Sequence, residues 1–156
     1  MRILCAIGIH RGNELVRRVA MITREGDELV LLHVIDMGPR HDLDRLRSPL
    51  HPHHEYHGEL DAAEEDAGKA TLQEAMAEAG RLGLAAAQRL ERGRPEQVIV
   101  SLAGELTAQL VVLHARESPQ AHPRIGPPSV GHTARFVVDH SPTTVLLLRA
   151  SNSPNE

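Results

Sequence analysis

Residues 29–35 read LVLLHVI, an apolar run interrupted only by His33. A run that is apolar at nearly every position suits a strand buried on both faces, whereas a half-solvated strand alternates with polar residues. A similar run at 3–7 precedes it, and another at 110–113 follows. Because sheets covered on both faces are built from parallel strands joined by helices, these runs predict an α/β fold.

Segments with helical periodicity separate the apolar runs. In the first of them, Asn13 is predicted to cap the helix, and the turn at 25–27 is predicted to end it. The order of elements predicts five strands and four helices in one parallel sheet. Beyond the elements already named, the predicted strands are 84–90 and 143–148, and the predicted helices are 59–81, one that starts near Pro95, and 129–139.

The mouth of a binding site is expected where neighbouring strands diverge, at their carboxyl ends. This rule brings together three segments, 8–11, 34–36 and 114–133. A helix that begins where a strand ends can also bind an anion, because the first N–H groups of a helix have no hydrogen-bond partner within the helix.

Composition narrows the class of protein. The chain has 156 residues, of which 41% are apolar and 24% are charged, and this suits one globular domain. A net charge of −4 and only two aromatic residues, Tyr56 and Phe136, argue against a nucleic-acid partner. The single cysteine, Cys5, lies in an apolar run and is predicted to be buried. Without a disulfide framework or a membrane-spanning run, the protein is expected to be cytoplasmic, with no membrane partner.

Six segments together resemble the universal stress protein family, and the resemblance extends over residues 1–149. It implies a single-domain Rossmann-like three-layer sandwich with a five-stranded parallel sheet of order 3-2-1-4-5 and four helices. The domain is expected to span residues 1–150, and residues 151–156 are predicted to be a flexible tail. The segments that carry the resemblance are 2–7, 31–36, the Gly-Arg-Pro turn at 93–95, 130–134, 140–142 and 145–148.

The resemblance also implies where an ATP-binding motif would lie, and this chain departs from it. ATP-binding members carry G-x2-G-x9-G-[ST] after the fourth strand, so that backbone N–H groups close on the phosphates. Here His114 and Glu117 replace the first two glycines, and thirteen residues, four of them prolines, separate Glu117 from Gly131. A carboxylate at 117 would repel a triphosphate by about 1 kcal/mol at 4 Å in water. Gly8 also stands where ATP-binding members carry an aspartate.

No cofactor is therefore expected, and ATP or AMP binding is kept as an alternative. The residues predicted to contact a nucleotide, if one binds, are Gly8, His10, Val34, Gly131, His132 and Thr133.

The chain contains eleven histidines, which is an excess. Five of them, at 41, 51, 53, 54 and 57, fall in a polar segment at 36–57 that is predicted to be a loop. His51, His53, His54 and His57 suit Zn²⁺ or Ni²⁺, although the same cluster is also typical of a solvated loop without a metal.

Five other histidines are predicted to have distinct roles. A second group, His10, His114 and His132, is predicted to converge at the strand ends and to bind an anion or a metal. His33 is predicted to be a core residue or one that supports the site residues from behind, and His140 is predicted to cap the last helix, where a cation is favoured.

These observations predict a non-catalytic stress-response or regulatory module with a degraded ATP-binding motif. The last strand, which starts at Thr143 and ends at Leu148, would be an apolar edge, and the family pairs there, so a homodimer is expected. A nucleotide-binding universal stress protein and a metal-binding or metal-sensing protein are the alternatives. The chain has no G-x4-G-K-[ST] loop and no adenylylation signature that would indicate an enzyme.

Overall fold

The computed structural model describes residues 1–9, 11–37, 53–115 and 130–149, with only the backbone for 53–60. Five parallel strands form one sheet in the order β3-β2-β1-β4-β5, and four helices connect them, as predicted. The elements in chain order are β1 (Arg2–Ala6), α1 (Gly12–Ala20), β2 (Glu28–Asp36), α2 (His53–Arg81), β3 (Ala85–Gly93), α3 (Pro95–Glu105), β4 (Leu110–His114), α4 (His132–His140) and β5 (Thr144–Leu148).

Two apolar cores lie on opposite faces of the sheet, which confirms the three-layer sandwich. Alternate residues of β1 divide between them: Ile3 and Cys5 face α1 and α2, while Leu4 faces α3 and α4. The Cys5 side chain is fully buried, as predicted, and burial raises its pKa to about 12. The thiol therefore stays protonated and unreactive in the folded protein.

The prediction that Asn13 caps α1 is wrong. The N-cap is Arg11, two residues earlier, and its side chain makes no capping hydrogen bond, so the helix begins at Gly12. A Cβ at Gly12 would lie 3.0 Å from Ile7 Cγ2 and 3.1 Å from Ala75 Cβ. Close packing of the helix start, rather than a capping side chain, therefore determines where α1 begins. The helix ends at Ala20, before the turn that was predicted to end it.

The helix α2 begins at His53, six residues before the predicted start at 59. The backbone at 53, 54 and 57 is therefore helical and not part of a loop, contrary to the prediction. No apolar period marks these residues, so the sequence pattern could not reveal the first turns. Beyond the other end of α2, Gly83 has φ 69°, and the backbone N–H of Leu84 donates to the Ala79 carbonyl at 2.9 Å.

Two other boundaries differ from the predictions by more than one residue. The edge strand β3 continues to Gly93, three residues beyond the predicted end, because its last residues pair in register with β2. The helix α4 begins at His132 after Gly131, which has φ 92°, and the predicted start at 129 lies outside the described residues. The segment 116–129 and the predicted tail at 151–156 also lie outside them.

Candidate functional site

A cleft with a volume of about 240 Å³ lies at the carboxyl ends of β1, β2 and β4. The connections from β1 and from β4 lead to opposite sides of the sheet, so the cleft is at the position where this architecture binds ligands. Its wall is mainly apolar, and the polar side chains of the described wall belong to Arg11, His33, His114 and Thr133. The volume is slightly below the roughly 300–1,000 Å³ of typical ligand sites.

The exit of β1 supplies one side of the cleft. Gly8 is exposed, and a Cβ built on it would meet no heavy atom within 4 Å. Arg11 follows at the start of α1, and its Nη2 donates a hydrogen bond to Glu14 Oε2 at 2.9 Å. Position 8 therefore has room for a side chain. The nearest charged side chain of the described wall is the cation Arg11.

Three basic side chains lie close to the Glu14 carboxylate. Its Oε2 accepts from Arg11 and lies 3.8 Å from His114 Nε2, and its Oε1 lies 3.6 Å from Arg18 Nη1. The hydrogen bond from Arg11 lowers the pKa of the Glu14 carboxyl; desolvation opposes this shift, and the charges of Arg11, His114 and Arg18 reinforce it. Glu14 therefore stays ionised and balances part of the positive charge beside the cleft.

The inner wall of the cleft includes a buried histidine. His33 is 6% exposed, and its Nδ1 lies 2.9 Å from the Ile7 carbonyl oxygen. A Cβ at Gly68 would lie 2.8 Å from the His33 ring, so α2 packs directly against the imidazole. These contacts hold the ring in place and confirm the prediction that His33 is a core residue.

The start of α4 supplies the opposite side of the cleft. Thr133 belongs to the wall, whereas the side chain of His132 is 78% exposed. His132 Nε2 lies 3.6 Å from Oε1 of Glu96, which is in the first turn of α3. This pair joins the first turns of two helices, and it directs His132 toward α3.

Only some of the residues that were predicted to contact a nucleotide lie in the wall of the cleft. Gly8, Val34 and Thr133 line the cleft, Gly131 and His132 precede Thr133 at the start of α4, and His10 lies outside the described residues. Sequence reasoning did not identify Pro95 and Ile99 as wall residues. It placed Arg11 in the segment 8–11 at the mouth of the site without giving it a role, and it missed Glu14, for which the only sequence signal was the opposite charge of Arg11 three residues earlier.

The predicted metal ligands are not tested by the described side chains. His51 lies outside the described residues, and for His53, His54 and His57 only the backbone is described. Within the described part of the chain, no group of three His, Cys, Asp or Glu side chains is placed to hold a metal ion. In the second predicted group, His114 lies beside Glu14 of α1 and His132 beside Glu96 of α3, so the two described members face carboxylates on different helices.

His140 was predicted to cap α4, but it is the last residue of the helix and Ser141 is the C-cap; the His140 Nδ1 lies 2.9 Å from the Phe136 carbonyl oxygen. Across the described residues, no helix is both long and apolar enough to cross a membrane.

A model of the universal stress protein family matches residues 1–149. Solved structures with a similar fold include the hypothetical protein MJ0577, at 18% identity and a TM-score of 0.73 over 97% of both chains. A universal stress protein in complex with cAMP is 18% identical, with a TM-score of 0.61 over 96% of both chains. A universal stress protein family protein from Arabidopsis thaliana with AMP bound is 14% identical, with a TM-score of 0.62 over 100% of this chain and 95% of that one. No protein with a curated description is significantly similar to the chain.

Proposed function

The chain belongs to the universal stress protein family, and from this premise we propose that it is a non-catalytic regulatory module of the stress response. The observation that carries the proposal is the cleft at the carboxyl ends of the strands, whose described wall contains no aspartate or glutamate. Carboxylates are the usual protein ligands of Mg²⁺ beside phosphates and are common catalytic bases. A cleft of this kind suits recognition of a ligand better than chemistry on a triphosphate.

A nucleotide is the second candidate ligand class, and the composition of the wall favours it. Leu32, Val34 and Ile99 offer an apolar surface for a planar base, and Arg11 offers a cation for a phosphate. Relatives with the same fold hold cAMP or AMP. Binding of ATP with Mg²⁺ in the manner of the ATP-binding members is disfavoured, because Gly8 replaces their aspartate.

Calorimetric titration and a phosphate-release assay test the regulatory role. We expect ATP with Mg²⁺ to bind more weakly than AMP, and no ATP hydrolysis above the rate of the buffer alone. Heat-denatured protein at the same concentration serves as the control for contaminating phosphatases. Stoichiometric ATP binding that depends on Mg²⁺, or turnover of ATP by the folded protein, would contradict the proposal.

We further propose a homodimer that pairs through β5. In the described residues β5 pairs only with β4, and its other edge carries the backbone groups that a second copy would pair with. Val145, Leu146 and Leu147 of this strand are only half-buried. If two copies pair antiparallel about the middle of the strand, Leu146 would lie opposite Leu146 of the second copy.

Sedimentation velocity of Leu146→Lys tests this pairing, because two like charges would face each other across the interface. The variant is expected to be monomeric at concentrations at which the wild-type protein is dimeric. Ala87→Lys places the same charge on the exposed opposite edge strand and is expected to leave the dimer intact. A wild-type protein that is monomeric at all concentrations would rule out the dimer even if Leu146→Lys fails to fold.

Metal binding by His51, His53, His54 and His57 stays a prediction, and so does a cytoplasmic location. Titration with Zn²⁺ of the wild-type protein and of a variant with all four histidines replaced by alanine tests the metal site. Tight, stoichiometric uptake that the variant loses would make metal sensing the better account of the function.

A further inference from the structure

The sulfur atoms of the chain differ widely in their access to solvent. One belongs to Cys5 and four belong to methionines, and all of these residues are described. Cys5 is fully buried, and Met76 is partly buried against the core on the α1 and α2 face of the sheet. Met37 is 37% exposed, Met1 is 47% exposed and Met21 is 84% exposed. The most accessible sulfur is therefore a thioether and not the thiol.

Met21 lies at the amino end of the sheet, because α1 runs from the end of β1 to the start of β2. It is the C-cap of α1, and its backbone stays helical, with φ −70° and ψ −18°. Its backbone N–H donates to the Arg18 carbonyl at 3.3 Å, so backbone hydrogen bonds fix the end of the helix. The thioether takes no part in these bonds, and a chemical change at the sulfur therefore leaves the helix intact.

Met21 belongs to a small exposed patch at the ends of α1 and α2. Arg17 lies one turn before Met21, and its Nε donates to Glu78 Oε1 of α2 at 2.7 Å. Both helices lead into the start of a strand, and Leu82 follows Glu78 by the same four residues. Met21 and Leu82 therefore lie one turn beyond this ion pair on neighbouring helices. Ile22, the next residue of the chain, is exposed as well.

A peroxide oxidises a thioether without any other reactant. The sulfur attacks one oxygen of hydrogen peroxide, and the S–O bond forms as the O–O bond breaks. The second oxygen takes up the proton of the first and leaves as water. The sulfide is oxidised to a sulfoxide, and the peroxide is reduced to water. Because the peroxide must reach the sulfur, an exposed methionine reacts before a buried one.

We propose that Met21 is a reversible oxidation site, at which a peroxide forms the sulfoxide while the chain stays folded. The sulfoxide oxygen accepts hydrogen bonds, and the Arg17 guanidinium lies on the same side of α1 to donate one. A sulfoxide at Met76 would instead place a polar group against the apolar core.

The oxidation changes a surface and not the core. It turns the most exposed member of the patch formed by Met21, Ile22 and Leu82 into a polar side chain. The protein thereby gains a response to oxidants that its buried thiol does not provide. The site lies at the opposite end of the sheet from the cleft, and its chemistry is independent of any ligand there.

Peptide mass spectrometry of the protein treated with hydrogen peroxide tests the proposal. Sulfoxide formation at Met21 is expected to be about twofold faster than at Met1 or Met37 and at least about tenfold faster than at Met76, since the rate follows exposure. Treatment in concentrated urea is the control for structure, and all four methionines are then expected to react at similar rates.

Met21→Leu is the matched variant, because it keeps an apolar side chain and removes the sulfur. On a hydrophobic-interaction column, brief oxidation should shift the wild-type protein to earlier elution and should shift Met21→Leu less. The oxidised wild-type protein is expected to unfold within about 2 °C of the untreated protein, as for other surface changes. The two methionine sulfoxide reductases, one for each epimer, should restore Met21 in the folded chain.

Several outcomes would overturn the inference. They are faster oxidation at Met1, Met37 or Met76 than at Met21, the same ranking of rates in urea as in the folded protein, an equal shift in elution for Met21→Leu, a large fall in unfolding temperature, or a sulfoxide at Met21 that the reductases leave in place. None of these results bears on the regulatory role of the cleft, which ATP binding and hydrolysis test separately.

Discussion

The two ends of the sheet use the same kinds of side chain for different purposes. At the amino end, the Met1 amine lies 2.6 Å from Asp27 Oδ1, and Arg2 donates from Nη1 to the Leu106 carbonyl at 2.8 Å and from Nη2 to Glu28 at 3.2 Å. At the carboxyl end, Arg11 and Glu14 form a pair of similar length beside an open cleft. The charged groups at the amino end connect the start of β1 to the segments before β2 and β4. Those at the carboxyl end lie beside the cleft and leave it open for a ligand.

The largest expected effect concerns the packing beneath the cleft. Gly68→Ala places a Cβ 2.8 Å from the His33 ring and 3.0 Å from Leu90. Overpacking of this kind should lower the free energy of unfolding by about 1–3 kcal/mol. Gly80→Ala, on the same helix near the amino end of the sheet, meets nothing within 4 Å and should raise it by up to about 1 kcal/mol. Urea denaturation measures both, and equal shifts for the two variants would show that His33 is not tightly packed.

A second prediction adds a carboxylate to the carboxyl end. Gly8→Asp fits without steric contact, because a Cβ at position 8 has no neighbour within 4 Å. The new charge should strengthen binding of ATP with Mg²⁺ about fivefold and weaken AMP in EDTA by a similar factor. Calorimetry measures both affinities, and Gly8→Asn is the uncharged control that should change neither. An unchanged AMP affinity in Gly8→Asp would place the phosphate away from the β1 exit.

The smallest expected effect is a pH dependence at the amino end. A hydrogen bond from the N-terminal amine, together with one from the Arg24 backbone N–H, lowers the pKa of Asp27 from 3.8. Because the folded pKa is the lower one, Asp27 stabilises the fold fully well above pH 3.8, and this contribution is lost as the pH falls through the folded pKa. Asp27→Asn should therefore unfold at a slightly lower temperature than wild type near neutral pH, and the difference should disappear in strong acid. A difference that persists there would mean that Asp27 acts through packing and not through its charge.

The fold could be predicted because its determinants are local. Continuous apolar runs mark the buried strands, and periods of three and four residues mark most of the helices. Two of the errors fall where the determinant is a contact with another part of the chain: Gly12 at the start of α1 packs against Ala75 of α2, and the end of β3 pairs with β2. No property of residues 11–13 or 91–93 alone contains this information.

The candidate site was predictable in part. Gly8, Val34 and Thr133 follow directly from the rule that ligands bind at strand ends. The charge relation between Arg11, Glu14 and His114 does not, because it joins α1 to the end of β4, far along the chain. Pro95 and Ile99 reach the cleft because α3 begins directly after the carboxyl end of β3 and packs on the face of the sheet, whereas the sequence pattern marks them as ordinary helix residues.

Cys5 is the only cysteine of the chain, and it lies in the middle strand of the sheet with β2 on one side and β4 on the other. Its side chain faces α1 and α2, so a thiol-specific label reaches it only after this helix layer opens, and the labelling rate reports opening of the core and not movements of the surface. Any small molecule that binds only the folded chain slows this labelling as its occupancy rises. One inaccessible sulfur atom thus provides a screen for ligands of the cleft that needs no engineered tag and no advance knowledge of the ligand.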